Sequence, residues 1–225
     1  MPQLRRQALS EMIATFILIF IGAGSIAAAQ MSGSTAGLTG IALAHGLAIF
    51  VGVSATAHIS GGHINPAVTI AFFATKRIDS LTALVYIISQ LLGAILGAGL
   101  LYLILPTSVI NAVNLGIPAV SSHINIWQAI AMEGLLTFIL VFVIFQSAVH
   151  SKGPGVIAPI AIGLTVTLDI LAGGPLTGAA MNPARWLGPA LATGIWDNAI
   201  VYILGPISGG LLASLLCHHV LHKED

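Results

Sequence analysis

The tripeptide Asn-Pro-Ala occurs twice, at 65–67 within "HINPAVTI" and at 182–184 within "MNPARWLG", in a chain that is otherwise almost continuous hydrocarbon. Of its 225 residues, 57% are hydrophobic and 6% charged, against about 25% charged in a soluble domain. Proline breaks a helix interior and lacks an N–H, and asparagine is costly wherever water is absent. Each pair therefore marks a place where membrane-embedded backbone departs from an ordinary spanning helix. The formal net charge of zero leaves no electrostatic footprint for nucleic acid. The single cysteine, Cys217, excludes an intrachain disulfide framework and a thiolate metal cage.

Six apolar stretches are long enough to cross a bilayer, at roughly 8–29, 37–57, 81–105, 127–149, 156–172 and 198–220. They leave short connections and no room for a soluble domain. Arg5 and Arg6 ahead of the first stretch, with small residues near its end, also fit a cleaved signal. Glu11 inside the run, the length of the run and the repeat described below favour a retained span. In a six-span chain Arg5, Arg6, Lys76, Arg77, Lys152 and Lys223 fall on one side, and the opposite connections 30–37 and 106–126 contain no Lys or Arg. Only Arg185 departs from this pattern. The positive-inside rule then predicts that both termini are cytoplasmic, in a multi-pass protein of the plasma (cell inner) membrane.

The two halves resemble each other. "EMIATFILIF" at 11–20 matches "EGLLTFILVF" at 133–142, "HINPAV" at 63–68 matches "AMNPAR" at 180–185, and "SQLLGAILG" at 89–97 matches "GPISGGLLA" at 205–213. Small residues every fourth position let helix backbones approach closely in lipid. Repeat one covers about 8–105 and repeat two about 127–220, together a single domain over 1–225. Three spans per half force the second copy to enter the membrane inverted. After each Asn-Pro come about ten helix-compatible residues, Pro66–Thr75 and Pro183–Ala192, which rise ~15 Å, half the ~30 Å hydrocarbon core. Asparagine caps a helix start and proline suits its first turn. The spacing thus predicts two half-helices, one dipping in from each face. The glycine-rich approaches "HISGGH" and "AGGPLTGAA" are expected to be non-helical backbone, tolerated at membrane depth only inside protein or along a watery cavity. The fold class is all-α: six transmembrane helices, two re-entrant half-helices and an inverted internal repeat.

At these motifs the chain resembles the aquaporin and glyceroporin (major intrinsic protein) family, over essentially its whole length. The resemblance implies that Asn65 and Asn182 meet at mid-channel and donate hydrogen bonds to a passing water, and that Glu11 and Glu133 hold the half-helix loops. Gly61, Gly62, His63 and Gly178 are implied to line the vestibules. Two facing helix N-termini put positive dipole ends at mid-channel and repel cations. The family's constriction maps to His45, Ile170, Ala179 and Arg185, a set similar to that of the plant tonoplast intrinsic proteins. It implies water, with ammonia, hydrogen peroxide or urea as further passengers. His123, in the outer connection, is a candidate extended-filter residue. Asp169 is expected to pair with Arg185 or a loop donor rather than to lie near the mouth in water. Trp186 and Ala190 stand where glycerol facilitators carry Asp and a basic residue.

A passive water channel that admits small neutral solutes and excludes protons and ions is the reading these residues favour. The alternatives are a glycerol or small-polyol facilitator and a coupled secondary transporter, which also uses inverted repeats and broken helices. No nucleophile–base pair or metal set points to an enzyme. No cofactor or metal and no nucleic-acid partner is expected. The lipid bilayer surrounds the chain, and a homotetramer is implied by the resemblance alone.

Overall fold

In a computed structural model, residues 2–33 and 37–222 are described; Lys223, one of the residues used to assign sidedness, lies outside them. Every regular element among the described residues is helical: α1 Pro2–Ser32, α2 Gly37–Ser60, α3 Pro66–Ala74, α4 Ser80–Ile104, α5 Thr107–Val113, α6 Ile126–Ile144, α7 Ala158–Thr177, α8 Pro183–Thr193 and α9 Ala199–Leu216. Short π-helical segments, Phe145–Val149 and Cys217–Leu221, extend α6 and α9. Six of these helices are long and apolar enough to cross a membrane. With 31 residues, α1 rises ~46 Å, more than the ~30 Å hydrocarbon core. Its ends therefore reach the interface, and Arg5 and Arg6 are exposed there.

The half-helices start where the caps dictate. Asn65 sits in extended backbone (φ −150°) and its side-chain oxygen accepts from Ala67 N–H at 2.9 Å, with Pro66 in the first turn of α3. Asn182 does the same for α8 (φ −156°, Ala184 N–H at 2.9 Å), followed by Pro183. Asp79 opens α4 by accepting from Thr82 N–H at 3.0 Å, and this bond holds its carboxyl below the ordinary value. The non-helical approaches are shorter than expected. His58–Ser60 belong to α2 and Ala172–Thr177, with Pro175, to α7, so only 61–65 and 178–182 leave helical geometry. Pro175 falls in the last turns of α7, and Gly178 N–H still closes onto Gly174 O at 2.9 Å, so helix continues up to the glycine.

The repeats are paired about a pseudo-two-fold axis. In repeat one α1 packs on α2 and α4; in repeat two α6 packs on α7 and α9; α2 and α7 meet at the axis. Each half-helix packs on the last span of the opposite repeat, α3 on α9 and α8 on α4. Neither repeat can therefore complete its own core. The outer surface is apolar, with Leu9, Leu47, Leu84, Leu103, Leu168 and Leu212 exposed, whereas Glu11, Gln90, Glu133 and Arg185 are buried. That is the distribution a lipid solvent favours.

Glycine sets the closest approaches, because without a hydrophobic force between helices in lipid, packing must come from backbone contact. A Cβ on Gly93 would run into Met12 O of α1, and one on Gly209 into the backbone of Gly134 in α6. Neither obstacle is a movable side chain. Gly99, in α4, has open space where its Cβ would stand. Gly209→Leu is therefore expected to destabilise the folded channel by about 3 kcal/mol or more, read as a lower melting temperature in detergent. Gly99→Ala should match or exceed the parent, because alanine is the better helix former.

Candidate functional site: two loops meeting at the centre

The five non-helical residues of each loop follow one backbone plan. Gly61, Gly62 and Ile64 have φ of 92°, 63° and 59°, and Gly178, Ala179 and Met181 have φ of 79°, 46° and 53°. Left-handed backbone is costly for Ile, Ala and Met, so something must hold it. Two buried carboxylates do so. Glu11 Oε1 accepts from His63 N–H (2.9 Å) and the Ser60 hydroxyl (2.6 Å), and Oε2 from Ile64 N–H (2.7 Å) and the Gln90 amide (2.8 Å). Glu133 Oε1 accepts from Ala180 N–H (2.9 Å) and the Thr177 hydroxyl (2.6 Å), and Oε2 from Met181 N–H (2.7 Å). Tyr86 and Tyr202 donate to the carbonyls of Ser60 (2.8 Å) and Thr177 (2.9 Å), anchoring the start of each loop.

The loops are then tied to each other. Asn65 Nδ2 donates to Met181 O at 2.7 Å, and Asn182 Nδ2 donates to Ile64 O at 3.0 Å. Each side-chain oxygen is occupied by its own helix cap, so both amides are fixed at both ends. A primary amide has two N–H donors; the cross-loop bond uses one and leaves the second.

Two cavities meet at this junction. The larger, about 270 Å³, runs from Val149 and Gly155 past Gly61, Gly62 and His63 to Asn65. The smaller, about 30 Å³, is bounded by Asn65, Ala180, Met181, Asn182 and Arg185, enough for a water. Asn65, Ile49, Leu140 and Val166 line both. The His63 ring is fixed by Thr69 Oγ1 at 3.1 Å and by Phe72, centroid to centroid 4.3 Å. Gly178 lines neither cavity; it caps α7, with its Cα face 2.9 Å from Pro118 at the position of a Cβ, because the helix runs on to Thr177.

Beyond the asparagines stand His45 and Arg185, 5% and 4% exposed. His45 Nδ1 lies 2.8 Å from Ile41 O one turn back on its own helix, and Arg185 Nε donates to His45 Nε2 at 3.1 Å. The carbonyl takes the Nδ1 hydrogen and Nε2 keeps its lone pair for the guanidinium, which assigns the tautomer. Arg185 Nη2 donates to Gly116 O at 2.8 Å, and Nη1 has no protein partner. Ile170 and Ala179 are buried, and Ile170 Cγ2 lies 3.6 Å from the position of a Cβ on Gly174.

The expected pairing of Asp169 is corrected here. Asp169 does not pair with Arg185: its Oδ2 is buried without a hydrogen-bond partner, and the arginine's bonds go to His45 and Gly116. His123 is not brought to Arg185 by any hydrogen bond; it is exposed, with its backbone N–H on Ser121 Oγ at 3.3 Å. Trp186 turns away from the cavities and stacks on Tyr202 at 6.1 Å. Gly116 and Gln90 escaped the sequence reading. Gly116 sits in the uncharged outer connection with φ 68°, and only a glycine ahead of Ile-Pro hinted at a turn there. Gln90 is a polar residue within an apolar span that also donates to Thr69 Oγ1 at 2.9 Å.

Comparison with known proteins agrees with this geometry. The family model described as major intrinsic protein matches residues 1–217. Aquaporin TIP1-2 of Zea mays is 42% identical, with 96% of this chain and 85% of that protein covered. Aquaporin TIP1-2 of Musa acuminata is 44% identical over 96% and 86%. Among solved structures, the aquaglyceroporin from Plasmodium falciparum superposes with a TM-score of 0.87, covering 98% of each chain at 26% identity. The match spans nearly the whole chain, including both half-helices, and the chain belongs to the major intrinsic protein family.

Proposed function

We propose that the chain is a passive water channel that also admits small neutral solutes such as ammonia, hydrogen peroxide or urea, and excludes protons and ions. The observation that carries this reading is the pair of amides fixed at both ends beside a water-sized cavity, each with one N–H to spare. A water whose oxygen accepts from Asn65 and Asn182 has its own hydrogens directed outward along the file. It cannot accept a proton from one neighbour and pass it to the next. The two helix N-termini add positive potential at the same point and repel cations.

His45, Ile170, Ala179 and Arg185 form the proposed selectivity filter. Arg185 Nη1 is its cationic donor, the His45–Arg185 pair its polar wall, and Ile170 with Ala179 its apolar wall. His63, Gly61 and Gly62 line the vestibule on the other side of the asparagines. His123, exposed in the outer connection, is the candidate extension of this filter. Glycerol facilitation is the second reading, in keeping with the likeness to the Plasmodium falciparum aquaglyceroporin; Trp186 and Ala190 argue against it, since neither supplies the polar pair implied for polyol channels. A coupled transporter would need an ion site, and the oxygens of Glu11 and Glu133 are occupied with loop donors.

Arg5, Arg6, Lys76, Arg77 and Lys152 support, by the positive-inside rule, a proposed orientation with both termini and the larger cavity toward the cytoplasm. The relatives are of the tonoplast type and lend no support to a plasma-membrane location, so the proposal is kept to sidedness. The apolar outer surface faces the bilayer and, in the proposed homotetramer, neighbouring copies.

Proteoliposomes carrying the protein should shrink rapidly under an osmotic gradient, with flux linear in the gradient, a low activation energy and no dependence on a proton gradient. Glycerol should cross far more slowly; glycerol flux equal to water flux would overturn the selectivity proposal, and saturable proton-coupled flux the channel proposal. His45→Phe should narrow the constriction and reduce ammonia flux several-fold more than water flux, measured on the same vesicles. Equal loss of both would remove His45 from the filter.

A further inference from the structure

α1 contributes no side chain to the proposed filter, yet both partners of Arg185 rest on one turn of it. A Cβ on Gly22 would stand 2.6 Å from Cδ2 and Nε2 of the His45 ring and 3.1 Å from Cε1. The outer edge of the imidazole therefore lies against α1, in the volume any side chain at position 22 would fill. One residue on, Ala23 carries Gly116: a Cβ there would meet Ala23 Cα at 3.1 Å and Ile26 Cδ1 at 3.0 Å. Gly116 O is the acceptor of Arg185 Nη2 at 2.8 Å.

The His45 ring has little freedom to yield. Its Nδ1 is held by Ile41 O and its Nε2 by Arg185, so a displacement that admits a methyl group must break one of these bonds. Gly22 lies in regular helix without a positive φ, and alanine suits such backbone better than glycine does. Steric conflict with the ring is then the nearest local cost of a side chain there.

We propose that Gly22 is a positioning residue of the filter: by lacking a side chain, it seats the His45 ring against α1 so that Nε2 meets Arg185 and the ring stays off the pore axis. The proposal rests on the filter reading above and extends it to a residue that touches no solute. With a methyl group at position 22 the ring moves toward the axis, and water and solute permeabilities fall together with their ratio altered.

The test is a double-mutant cycle on full-length protein in liposomes, with water and urea permeabilities measured for the parent, Gly22→Ala, His45→Ala and the double variant. Gly22→Ala is expected to lower water permeability about threefold or more, an effect in the range that contacting residues show as coupling. In the His45→Ala background the same substitution should change neither water permeability nor the water-to-urea ratio, because the ring it displaces is gone. Parent-like flux in Gly22→Ala, or the same fractional loss in both backgrounds, would overturn the proposal. If Gly22→Ala alone does not fold, folding and flux of the double variant decide it: rescue by His45→Ala supports the proposal, and continued failure overturns it. A failure of the filter reading is distinguishable, since His45→Ala alone would then leave the water-to-urea ratio unchanged.

Discussion

Backbone that leaves helical geometry at membrane depth must find donors and acceptors inside the protein, and the rest of this structure depends on how that demand is met. Glu11 and Glu133 each collect two consecutive loop N–H groups and a hydroxyl. A carboxylate accepts at several lone-pair sites, so one side chain satisfies what would otherwise be several costly orphans. With the N–H groups turned outward to the carboxylates, the loop carbonyls of Ile64 and Met181 are left for the asparagines of the opposite loop. Capping, loop shape and the central junction are one connected network. A break at either carboxylate would release the left-handed residues that aim the asparagines.

The repeat makes this network nearly symmetric and the chemistry around it is not. The offset that relates Asn65 to Asn182 relates Ile162, Val53, Gly62 and Val68 to the other repeat. Their counterparts are His45, Ile170, Ala179 and Arg185, respectively. The first four all line the 270 Å³ cavity. One end of the path is therefore wide and apolar and the other is polar and cationic, on the same backbone plan. Selectivity lives in the side chains that break the symmetry, and stability in those that keep it.

Much of this was legible in the residues. Two Asn-Pro pairs gave both half-helices to within a residue or two, since a cap and a first-turn proline act through local geometry. The matching "EMIATF" and "EGLLTF" segments pointed to the carboxylates, because an acid inside an apolar run needs donors. The non-helical approaches were drawn too long. Glycine and proline weaken a helix in water, but in a packed membrane bundle neighbouring elements let Gly173, Gly174 and Pro175 stay helical, where Gly173 admits Leu136.

The chain's own pattern determined the class of fold, the six spans, the inverted repeat and the identity of the capping and carboxylate residues, since each follows from hydropathy, local helix geometry or the cost of a buried polar group. Only the tertiary structure decided where Arg185 spends its hydrogen bonds. A long arginine in a crowded interior takes whichever acceptors packing presents: His45 seated on Gly22 and the carbonyl of Gly116 held by a left-handed turn, with Asp169 and His123 passed over. Those partners come from α2 and the outer connection and are backed by α1, far apart in the chain, and no periodicity or spacing brings them together.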